Sequence, residues 1–151
     1  MTDQGRNVHA CQGRTGATRR HLRLTLPACI QPVRLARQVT REVLTAWRLA
    51  YVEETAVLLV SELVTNAVRR ATCADEITLE LQVVQTRLRI EAYRRRPGLV
   101  APRTTGEFDK SGYEFALVTS LADRWGVRES VTGKTAWAEL NVGCEPGATG
   151  P

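Results

Sequence analysis

The chain has 151 residues, 43% of them hydrophobic and 25% charged, which suits one domain with a single core. No run approaches the ~18 apolar residues of a membrane helix, and the start lacks a secretory apolar segment, so the sequence predicts a cytoplasmic protein with no membrane contact. A net charge of +5 and a pI near 9.4 favour acidic partners, whether phosphates, nucleic acid or an acidic protein surface.

Residues 1–20 are rich in Gly, Thr, Arg and Gln without periodicity and predict a mobile basic tail. His21 to Leu26 alternates polar and apolar residues, the pattern of a half-buried strand that Pro27 ends. Pro32 suits a first helical turn. Leu35, Val39, Val43 and Trp47 follow at four-residue spacing and predict an amphipathic helix from Pro32 to about Ala50, with Arg34, Arg37, Arg41 and Arg48 on its wet face. Thr55 to Ala71 forms a second helix, whose apolar line runs through Ala56, Leu59, Val60, Leu63, Val64 and Ala67.

Ile77, Leu79, Leu81 and Val83, then Leu88, Ile90 and Ala92, alternate with polar residues and predict two neighbouring strands joined near Gln85-Thr86. From Arg94 to Ser111 the pattern gives way to a long Arg-, Pro- and Gly-rich loop. Gly112 to Ala122 reads as a helix, Arg124 to about Glu129 and Thr135 to Val142 as closing strands, and residues 143–151 as a flexible tail. This order predicts a two-layer α/β sandwich over residues 21–142, one sheet with its helices on one face.

Cys11, Cys29, Cys73 and Cys144 are widely scattered with no Cys-x-x-Cys pair, so reduced structural thiols are expected rather than a zinc cluster or a disulfide framework. His9 and His21 stand in no metal-ligand spacing. Gly133-Lys134-Thr135 fails as a phosphate loop: the required earlier glycine is Arg128, and a strand rather than a helix follows.

On the second helix Glu62 and Asn66 lie four apart, with Arg69 and Arg70 further along the same edge. Ser61-Glu62-Leu63-Val64-Thr65-Asn66-Ala67 closely resembles the N box of the Bergerat-fold (histidine-kinase-like) ATP-binding domains, and most of all that of the anti-sigma-factor serine/threonine kinases. Leu121-Ala-Asp-Arg-Trp-Gly-Val127 and Gly133-Lys-Thr-Ala-Trp137 are also similar to segments of that family. The resemblance implies a mixed, mainly antiparallel sheet, with ATP between helices and sheet under a lid formed by the loop after Arg94. It implies that Asn66 holds Mg2+ on the ATP phosphates and that Glu62 is the general base. Arg70, Gly112, Lys134 and Thr135 would border the nucleotide. It further implies a sigma factor or its anti-anti-sigma antagonist as partner, leaves room for a homodimer, and gives no reason to expect direct nucleic-acid binding.

Two positions depart from the family pattern. Where the strand before the lid ends in an adenine-binding Asp, this chain has Arg94, which can only donate hydrogen bonds. The second glycine of the Gly-x-Gly turn after the lid is Glu114, a negative charge where phosphate would sit. Each change costs ATP binding roughly 1–3 kcal/mol. The sequence therefore also accommodates a catalytically dead module of the same fold that binds nucleotide weakly or not at all.

Overall fold

A computed structural model describes residues 20–69, 71–95 and 115–143. Its elements are β1 (His21–Pro27), α1 (Pro32–Ala46), a 3-10 turn (Ala50–Val52), α2 (Glu53–Arg69), β2 (Glu76–Val84), β3 (Arg87–Arg95), α3 (Ala116–Leu121), β4 (Arg124–Ser130) and β5 (Gly133–Asn141). The strands form a five-stranded sheet in the order β1-β2-β3-β5-β4. Every pairing is antiparallel, so the mixed sheet expected from the sequence is antiparallel throughout its described strands.

Alternation along the strands sends Ile77, Leu79 and Leu81 of β2, Leu88, Ile90 and Ala92 of β3, and Ala136, Ala138 and Leu140 of β5 to one face, where all are buried. Helix α2 lies on this face, touching β2, β3 and β5, while α1 packs on α2 and β1. Leu59, Val60, Leu63 and Val64 of α2 are fully buried there, each large side chain contributing about 1.5–3 kcal/mol of burial. The result is the two-layer α/β sandwich anticipated from the order of elements.

Helix α1 is a correction in phase. Its buried line is Pro32, Ala36, Thr40 and Leu44, whereas Leu35 is 39% exposed and Val39, Val43 and Trp47 are half-buried. Polar groups explain the choice. The buried Thr40 hydroxyl donates to the Ala36 carbonyl at 2.7 Å and so needs no water. Arg37 is also more than a wet-face residue: its Nε donates to the buried Ser61 hydroxyl at 2.6 Å, which itself donates to the Val57 carbonyl at 2.8 Å. That relay ties α1 to α2. The helix stops at Ala46, earlier than expected, with Arg48 in the left-handed region at φ 62°.

Cys29 and Cys73 form a disulfide with Cα atoms 5.2 Å apart across 44 residues, which corrects the expectation of reduced thiols. The reason is the register: Pro27 of β1 pairs with Glu76 of β2, so the loops just beyond these residues meet at one end of the sheet. Cys11 and Cys144 lie outside the described residues.

The outer face of the sheet is polar and interlocked. Arg89 bonds Glu91 at 2.6 Å and Glu139 at 2.8 Å, and its guanidinium stands 4.2 Å from the centre of the Trp137 ring. Its pKa is raised: burial opposes the charge, but the hydrogen bonds to the two glutamates outweigh it. The Trp137 indole also covers Gly126, where a Cβ would come within 2.8 Å of the ring. Far from the sheet's centre, Tyr51 donates to the Val142 carbonyl at 2.6 Å and fastens the α1–α2 connection to the end of β5.

At the other end of β5, Gly133 sits so close to β3 that an added Cβ would meet the Arg94 carbonyl oxygen at 2.1 Å. Gly133→Ala must push the strands apart and is expected to cost about 1–3 kcal/mol, read as a lower urea midpoint. An unchanged midpoint would mean that β5 yields freely at this position.

Candidate functional site

The end of the sheet carrying Arg94 and Lys134 meets the last turns of α2. Here lies a small, open pocket lined by Leu63, Asn66 and Ala67 from α2, Ala92 and Arg94 from β3, Lys134 and Ala136 from β5, and Phe115. The helical repeat explains the α2 contribution: Leu63, Asn66 and Ala67 lie three and four apart and share one face. The strand contributions follow from period two, with Ala92 and Arg94 of β3 on the same side as the core.

Arg94 and Lys134 are directly opposed in the β3–β5 register. Arg94 is only 5% exposed. Phe115 closes the pocket on the side of α3 and stacks on Trp125 of β4, with ring centroids 5.0 Å apart.

The residues singled out from the sequence separate. Asn66 and Lys134 line the same pocket. Glu62 is half-buried one turn earlier on α2 and is not among the lining residues. Thr135 pairs with Tyr93 and, by alternation, lies on the side of β5 opposite Lys134 and Ala136. Arg70, Gly112 and Glu114 fall outside the described residues, as does the expected lid. Phe115 falls in the stretch whose sequence predicts a helix, and no signal there marks it as a wall of the site. The inward side of Arg94, by contrast, follows from continuing Leu88, Ile90 and Ala92 by one more step.

The pocket can be tested against Mg-ATP on its own chemistry. Asn66 offers a carboxamide oxygen, suited to a hard cation. Arg94 and Lys134 offer donors alone, so neither can accept from an adenine amino group, and their charges repel a divalent ion. Among the described residues no group of three or more His, Cys, Asp or Glu could hold a metal. Asn66 thus offers one acceptor for a cation, while the charged ends of Arg94 and Lys134 suit acceptor-rich or anionic groups.

No family model matches the chain, and no curated protein does either. Among solved structures it is similar to the RsbU and RsbW domains of Rv1364c from Mycobacterium tuberculosis, with a TM-score of 0.61 and 20% identity over 83% of this chain. The match spans 33% of that longer chain. At this identity the likeness shows the fold alone, and it supports the sandwich arrangement on which the N-box resemblance was placed. Among the described residues no helix is long and apolar enough to cross a membrane.

Phe115 serves both the pocket and the core, being 1% exposed. Phe115→Ala is expected to lose about 3–5 kcal/mol of stability, measured by urea unfolding. A loss below about 1 kcal/mol would mean that the aromatic stack contributes little to holding α3 against β4.

Proposed function

We propose that the protein is a regulator of the anti-sigma-factor type that works by binding a sigma factor or its antagonist, as a non-catalytic module rather than as a kinase. The observation that carries the non-catalytic reading is Arg94, a group that only donates, lining the pocket with Asn66 where the resembling kinases have an adenine-binding Asp. Support for a regulatory role comes from the likeness to a structure containing an RsbW domain together with the N-box resemblance at Glu62 and Asn66. The positive net charge of +5 suits an acidic protein surface as partner.

A second reading keeps ATP and Mg2+. Asn66 lines the pocket and Glu62 precedes it by one turn, the spacing that metal binding and a general base need in the resembling kinases. With donors at the adenine end, however, that reading requires recognition by residues outside those described.

Titration with Mg-ATP separates the two. Weak binding, in the millimolar range, or none is expected, and Asn66→Ala should abolish whatever is seen. Tight binding that disappears in Asn66→Ala would establish the kinase reading instead. Arg94→Asp should restore an acceptor and improve ATP over GTP by roughly tenfold to a hundredfold, about 1–3 kcal/mol. Arg95→Asp should do little, because the next strand residue points to the opposite face. Equal responses at both positions would remove Arg94 from the adenine-recognition position.

A further inference from the structure

The Cys29–Cys73 bond stands apart from the pocket chemistry and invites its own reading. Both cysteines are solvent-exposed, in loops rather than in the core. Exposed disulfides are the readily reduced ones, whereas structural bonds resist reduction by small thiols. Cys73 lies in a built turn: the Ala71 N–H donates to the Val68 carbonyl at 2.9 Å, the Asp75 N–H to the Thr72 carbonyl at 3.0 Å, and the Thr72 N–H to the Asp75 carboxylate at 2.9 Å. This turn joins the end of α2, which carries Asn66 and Ala67, to the start of β2, where Ile77 pairs with Arg94. The chain on either side of Cys73 therefore leads directly into the walls of the pocket. On the other side Cys29 precedes α1, so the bond encloses both long helices in one covalent loop.

We propose that Cys29 and Cys73 are a reversible thiol–disulfide modification site, whose substrate class is the low-molecular-weight thiols and their disulfides. The bond pins the α2–β2 turn, and its reduction loosens the turn and the pocket-lining end of α2 while the sheet stays folded. In the reductive direction, the thiolate of a small thiol attacks one exposed sulfur and the Cys29–Cys73 bond breaks. The leaving cysteine takes up a proton, and a mixed disulfide remains on its partner. A second small thiol attacks that mixed disulfide and releases the partner cysteine. The protein gains two electrons and two protons, and two small thiols become one disulfide. The fully buried side chains of α2, β2, β3 and β5 come from the helix and the strands rather than from the two cysteine loops.

The experiment uses the full chain with Cys11→Ser and Cys144→Ser, so that only this pair reacts. The protein is equilibrated over a series of reduced-to-oxidised glutathione ratios. Alkylation and mass spectrometry read the oxidised fraction, and amide hydrogen exchange reads the turn. Both forms should be populated within the glutathione range. On reduction, exchange at Ala71, Thr72 and Asp75 should accelerate by about tenfold or more, while Ile90 in β3 stays unchanged. Cys73→Ser and, separately, Cys29→Ser should reproduce the reduced pattern under oxidising conditions. A pair that remains oxidised at every ratio is a structural bond and overturns the proposal. So does reduction that leaves the turn's exchange unaltered, or that unfolds the sheet along with it. None of these outcomes depends on what the pocket binds.

Discussion

The packing of helix α2 on the inner face of the sheet is the constraint from which the other features follow. Its residues Leu59, Val60, Leu63 and Val64 have no exposed surface at all, so the helix cannot rotate without exposing part of the core. With the rotation set, Asn66 and Ala67 must look toward the end of β3, and Glu62 must stand to the side. Arg37 and Ser61 reinforce the same setting from the opposite direction by joining α1 to α2 at 2.6 Å. A buried serine that both donates and accepts leaves no polar group without a partner at this contact.

In the pocket that results, apolar walls from Leu63, Ala67, Ala92, Phe115 and Ala136 enclose a polar end made of Asn66, Arg94 and Lys134. Donors dominate that end, and a buried guanidinium has a strong preference for acceptors. The fold is similar to that of the RsbU and RsbW domains, and the polar end of the pocket is set by a sheet position and its cross-strand neighbour. Fold and function separate at this point, because the sandwich depends on the core while ligand choice depends on a few side chains at the strand ends.

The two faces of the sheet divide the labour differently. The inner face supplies the core and one wall of the site. The outer face is held by Arg89, Glu91, Glu139 and Trp137 in a network of charge-assisted bonds and ring contact, with Gly126 providing the space for the indole. Such a face is wetted without being loose. It also shows why the Thr135 side, next to Tyr93 on this outer surface, belongs with the lattice of cross-strand pairs rather than with the pocket.

The sequence by itself determined the elements with a clear period: β1, β2 and β3 from alternation, and α2 from its apolar line. It also placed Asn66 on one edge of α2 with Glu62, four residues earlier. The inward direction of Arg94 was equally legible from the strand. What the tertiary structure decided were the choices between patterns of equal period. In α1 two lines of four-residue spacing run side by side, and only contact with α2 and β1 selected Ala36 and Leu44 over Leu35 and Val39. In β5 the pairing of Gly133 with Arg95 determined that Lys134, not Thr135, faces Arg94, because a shift of one residue exchanges the faces of a strand. The Cys29–Cys73 bond depended on register in the same way: residues separated by 44 positions meet only once β1 and β2 have paired. Local spacing fixes which side chains share a face, and long-range pairing fixes which faces meet.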